Sequence, residues 1–135
     1  MNACSHLPNA RHIDWVLASA KKHPKIWSAA RDAAWDASWD AAWVAARDEA
    51  WSAIWRAARD VAWDAAVTEA MDAPMAVAAA WDVIAALIAY DDCAHLLDMP
   101  SDRLKIWAVL SEQPAAVLLL SAVIAREQIS ELNMA

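Results

Sequence analysis

The chain has 135 residues, a formal net charge of -7 and 61% hydrophobic residues, with ten tryptophans and no glycine or phenylalanine. That length is one domain with room for a real core, and the acidic balance argues against duplex nucleic acid and anionic membranes, which are bound through phosphate neutralisation. Without turn glycines or runs of β-branched residues a sheet has no means of reversing, so the expectation is an all-α chain of about five helices.

Taken in chain order, Asn9 after Pro8 is placed to cap a helix over about residues 10–22. Ile13, Val16, Leu17 and Ala20 share one face of it. Lys21, Lys22 and His23 sit where cations suit a helix C-terminus. Pro24 then fits the first turn of a second helix.

From residue 25 to 71 there is no Gly or Pro, and the chain counts in fours. One column reads Trp27, Arg31, Trp35, Trp39, Trp43, Arg47, Trp51, Trp55, Arg59, Trp63, Val67. The next is mostly Asp: Asp32, Asp36, Asp40, Asp48, Asp60, Asp64. The other two are almost all Ala. An α-helix turns about 100° per residue, so a step of four overshoots one turn by about 40°. Over 36 residues the Trp column would wind once around a single rod about 70 Å long. That arrangement leaves indoles on every side. Either the helix breaks, or neighbours wrap it, or part of the ridge is left open for a ligand.

Asp72 and Pro74 punctuate the chain, with Asp72 as an N-cap. A third helix is expected over about 73–97. Pro100 ends it, and Ser101 caps a fourth over about 102–111. A fifth, about 114–128, is apolar nearly all round and therefore central, with a frayed tail from Gln128. Its apolar run falls short of a membrane span, which needs roughly 20 residues. The organisation expected is a single domain, 1–135, with a repeat region at 25–70 and a helical core at 74–128.

Three groups of residues carry candidate chemistry. The ridge Trp35, Trp39, Trp43, Arg47, Trp51, Trp55, Arg59 and Trp63 offers rings for stacking and guanidinium forks for phosphates. Core or oligomer interface is the alternative use of the same rings. Within 90–98, Asp91, His95 and Asp98 would share a helical face. They could bind a metal or work as a base, or be polar groups satisfied at a helix end. Cys4, His6, His12 and His23 lack zinc-site spacing. No phosphate loop, nucleophile elbow or paired-carboxylate pattern is present, so an enzyme is not expected, nor a cofactor or metal. The N-terminus, polar and broken by Pro8, does not read as a signal peptide. Two cysteines, Cys4 and Cys93, make no disulfide framework and point to the reducing cytoplasm.

The recurring "AAWDA" and "AARDA", as in 33–46 and 57–66, with "ALIAYDDCAHLLD" at 86–98 and "PAAVLLLSAVIA" at 114–125, resemble tracts in small Ala/Trp-rich helical proteins of phages and bacteria, some labelled putative immunity proteins. The resemblance spans about 25–125. It implies a setting of phage–host or toxin–antitoxin conflict, in which small proteins work by binding. The leading expectation is a non-enzymatic homo-oligomer that sequesters a small, flat, anionic molecule, such as a nucleotide immune signal, between the ridge tryptophans, with Arg47 and Arg59 on its phosphates. The alternatives are an acidic inhibitor or immunity protein docked on a host protein partner, and a structural self-assembly module.

Overall fold

The computed structural model describes residues 7–37, 40–110 and 113–134. These are all-α, with no strand among them. The helices are α1 (Ala10–Lys22), α2 (Pro24–Ala37), α3 (Asp40–Arg56), α4 (Asp60–Glu69), α5 (Pro74–Val77), α6 (Trp81–Ala89), α7 (Ser101–Leu110) and α8 (Pro114–Met134). The single turn α5 runs into α6 through a 3-10 turn, Ala78–Ala80. Counted together they leave seven helices among the described residues, not five.

The extra helices come from the repeat. No 70 Å rod forms; 25–71 is cut into α2, α3 and α4. Each piece is short enough for a column spaced by four to stay on one side. The side that is buried is an alanine column: Ala30 and Ala34 on α2, Ala46 and Ala50 with Ile54 on α3, Ala62, Ala66 and Ala70 with α4. A column of methyl groups lets helix backbones approach closely, and the Trp column, one residue on, packs at its flank. The Asp column, two residues on, lies about 200° around the helix and faces out. Asp32, Asp36, Asp48 and Asp64 are all exposed.

α8 is the centre, as its composition predicts. It is buried continuously from Ala116 to Ala125, and α2, α3, α6 and α7 all pack against it. It does not fray at Gln128 but stays helical to Met134. α1 buries the expected face, Ile13, Val16, Leu17 and Ala20.

The expected third helix is also broken. α6 stops at Ala89, where Tyr90 turns to extended backbone (φ -122°, ψ 120°), and the chain resumes as a 3-10 helix, Ala94–Asp98. Asp72 does not cap α5. Ala73 holds that position, without a side-chain bond, and Asp72 pairs with Lys21 at 2.9 Å. Lys21 also donates to the Glu69 carbonyl at the end of α4. The same shallow contact holds the Asp72 carboxyl below its ordinary value, through the hydrogen bond from Lys21.

Candidate functional site

The ridge resolves into tryptophan pairs that straddle the helix breaks. Trp15 of α1 meets Trp27 of α2 with ring centroids 6.0 Å apart. Trp35 of α2 meets Trp43 of α3 at 5.3 Å. On a straight helix those two residues would be about 12 Å apart along the axis. Trp51 of α3 meets Trp63 of α4 edge-on at 4.5 Å, and Trp63 continues to Trp81 of α6 at 5.2 Å. Offset or edge-on indole pairs add about 0.5–1.5 kcal/mol beyond their buried area. The rings therefore staple consecutive helices together at each bend.

The two most deeply buried indoles also have hydrogen-bond acceptors. Trp27 Nε1 donates to Ser19 Oγ at 2.9 Å, and Trp43 Nε1 donates to Asp82 Oδ2 at 3.0 Å. A buried N–H without an acceptor costs roughly 1–3 kcal/mol, so both contacts fix ring position as well as burial. Trp55 differs from the rest of its column, with 66% of its surface exposed. It stands beside the turn that ends α3. Trp39 lies outside the described residues.

That turn is a left-handed helix stop built without glycine. Ala58 has φ 55°. Its N–H donates to the Trp55 carbonyl at 3.1 Å, and the Arg59 N–H donates to the Ile54 carbonyl at 2.9 Å. This is the paired pattern of a Schellman motif, in which glycine is the usual left-handed residue.

The two candidate phosphate-binding arginines have different surroundings. Arg59 reaches the end of α6, where Nη1 donates to the Ile88 carbonyl at 2.9 Å and both Nη atoms bind the Asp91 carboxylate. That hydrogen bond raises the Arg59 pKa and lowers that of Asp91. Arg47 is half-buried on α3, four residues from both Trp43 and Trp51, and has no ion pair among the described residues.

The cluster at 90–98 is a helix end whose backbone carbonyls are bound by side chains, although the buried Tyr90 hydroxyl has no hydrogen-bond partner. Three side chains serve the last carbonyls of α6. Asn9, 2% exposed, donates from Nδ2 to Leu87 O at 3.0 Å and to Tyr90 O at 2.7 Å. Asn9 does stand at the start of α1, but its side chain caps the far end of α6 rather than its own helix. Cys93 Sγ donates to Tyr90 O and Ala86 O, and Arg59, oriented by Asp91, takes Ile88 O. Burial pushes the Cys93 thiol up to about 12, which removes it as a nucleophile at neutral pH. Burial also raises the Tyr90 hydroxyl. Because α6 ends before Asp91 and a turn separates it from the 3-10 helix that carries His95 and Asp98, the three do not share one helical face. No metal-competent group of three His, Cys, Asp or Glu side chains occurs among the described residues.

No local pattern announces the Asn9 contact, which joins residues 78 positions apart. No family model, curated protein or solved structure matches the chain. No described helix is long and apolar enough to cross a membrane.

Proposed function

We propose that the protein works by binding, and that its outer repeat face docks on a basic protein partner, as an inhibitor or immunity protein would. The observation that supports this is the sidedness of α2–α4. Alanine and paired tryptophan are turned inward, while Asp32, Asp36, Asp48 and Asp64 are all exposed on the opposite side. Like charges spaced by four on a helix cost a few tenths of a kcal/mol per pair, so helix stability does not account for that column. Fixed carboxylates on stiff helices do steer a basic partner and accelerate association. Trp55 supplies an exposed aromatic of the kind that anchors interfaces. The resemblance to phage and bacterial immunity-labelled proteins fits the same role.

The test is partner capture from the source cell at low salt, followed by affinity measurement on the purified pair. Affinity should fall at least tenfold between 50 and 300 mM salt, an order-of-magnitude expectation for a charge-steered contact. It should fall similarly when Asp32, Asp36, Asp48 and Asp64 are all changed to Lys. A partner held equally well by the reversed protein overturns the reading.

A second reading is the sequestration of a flat anionic ligand on the ridge by Trp35, Trp39, Trp43, Arg47, Trp51, Trp55, Arg59 and Trp63, in a homo-oligomer. It is favoured by Arg47, half-buried between two tryptophans of its own column without a carboxylate partner among the described residues. Arg47→Ala should abolish nucleotide retention in native mass spectrometry while leaving the fold intact. Unchanged retention excludes the ridge.

A further inference from the structure

A different place in the fold joins an aromatic wall to a set of cations. Between α1 and the end of α8 lies an open cavity of about 450 Å³, lined by Trp15, Ser19, Lys22, His23, Arg126 and Asn133 among others. That volume is in the range of small-molecule sites, roughly 300–1,000 Å³. In a chain of net charge -7, a lysine, a histidine and an arginine line this one cavity.

The wall is braced. Ser19, 9% exposed, accepts the Nε1–H of Trp27, and Trp27 in turn backs Trp15 at 6.0 Å. Trp15 itself is 38% exposed, so the indole is held in place from behind and open in front. Trp27 engages one of the two acceptor lone pairs of Ser19, whose hydroxyl proton is left to give.

The cations remain largely uncommitted. Lys21, next in sequence, is occupied by Asp72 and the Glu69 carbonyl, whereas Lys22 is exposed. Arg126 gives one Nη2–H to the Met99 carbonyl at 3.1 Å. Its nearest carboxylate, Glu127, is 3.9 Å away, and both of that group's oxygens are already bound by Ser101. Glu131 stands in the neighbouring cleft with Glu127, so one flank of the cavity is acidic.

We propose that this cavity binds a nucleoside monophosphate, with the base stacked on Trp15 and the phosphate held by Lys22, His23 and Arg126. The ring is required by the braced, open indole. A phosphate suits the set better than a carboxylate, because the ammonium and imidazole at the end of α1 and the guanidinium fork on α8 line the same cavity, and a phosphate offers three acceptor oxygens to them. The acidic flank of Glu127 and Glu131 disfavours longer polyphosphates. The site is separate from both the acidic face and the ridge, so its failure leaves those readings standing.

The experiment is isothermal titration of the intact chain with AMP, adenosine, inorganic phosphate, ATP and benzoate. AMP should bind saturably and at least tenfold more tightly than each of the others. Trp15→Leu and Lys22→Gln, both at exposed positions, should each weaken AMP at least tenfold with circular dichroism unchanged. Arg126→Gln should do the same, and its Met99 contact makes Lys22→Gln the control for misfolding. No saturable AMP binding, equal binding of phosphate or benzoate, or affinity unmoved by Trp15→Leu and Lys22→Gln overturns the proposal.

Discussion

Arg59 and Asp91 form a two-point clasp, with Nη1 2.6 Å from Oδ1 and Nη2 3.1 Å from Oδ2, across 32 positions of sequence. Because Nη1 also holds the Ile88 carbonyl, the clasp joins the α3–α4 turn to the end of α6. The carbonyl contact matters more than the ion pair. Asp91 is half exposed, and exposed pairs contribute roughly 0–1 kcal/mol, whereas a charged hydrogen bond to a partly buried carbonyl contributes about 1.5–3. Arg59→Ala should therefore lower stability by about 1–3 kcal/mol and Asp91→Ala by less than about 1, read from urea midpoints at constant m-value. Equal losses would show that the ion pair dominates.

The same clasp sets a pH dependence. The folded Asp91 carboxyl lies below its ordinary value of 3.8, chiefly through the hydrogen bond from Arg59. A depressed carboxyl pKa contributes stability that is fully present above the unfolded value and is lost as pH falls through the folded one. Unfolding free energy should decline below about pH 4, and Asp91→Asn should flatten that decline. An unchanged slope in the variant would remove Asp91 as its source.

Ala58 has a left-handed backbone at φ 55° that carries a Cβ. Ala58→Gly should raise stability by about 0.4–1 kcal/mol, visible as an increase in thermal midpoint. The reverse sign would mean that the methyl group packs better than the backbone suffers.

The tryptophans divide by depth rather than by column. Trp43, 1% exposed, should lose about 3–5 kcal/mol on replacement by Ala. Trp55→Ala, at a surface position, should stay within about 0.5 kcal/mol. A Trp51/Trp63 double-mutant cycle should give a coupling of about 0.5–1.5 kcal/mol. No coupling would demote the pair to neighbours.

In a Cys4→Ser background, Cys93 should resist alkylation at pH 8 until the chain unfolds, since its buried thiol titrates only at about 12. Labelling at the rate of a free thiol in native buffer would show that the end of α6 opens readily.

How much of this was legible in the sequence follows from the range of each interaction. The all-α class, the buried face of α1 and the central run of α8 are local patterns of one helix, and they read directly. The conflict between a step of four and a turn of 3.6 residues showed that the repeat must break, be wrapped or stay open. It did not say which. The stop at Ala58 carries no glycine, so nothing in composition marks it. The break at Tyr90 was hidden because 73–97 reads as continuously helical. Its cause lies elsewhere, in Asn9 and Arg59, which take the carbonyls that another turn of helix would have used. The 90–98 cluster looked like possible chemistry because its partners are distant in sequence. The Trp15 cavity was missed because Lys22, His23 and Arg126 read as helix-end charges, and only the fold brings the end of α8 to α1.

The place of α8 has a consequence for how the protein is made. A ribosome delivers α2, α3, α6 and α7 before the helix on which all four rest. Until residues 114–125 have emerged, α2, α3, α6 and α7 lack the helix that they share. The packing of those four helices therefore waits on α8. A free fragment ending before Pro114 should be cleaved readily by protease in native buffer, and one that includes α8 should resist.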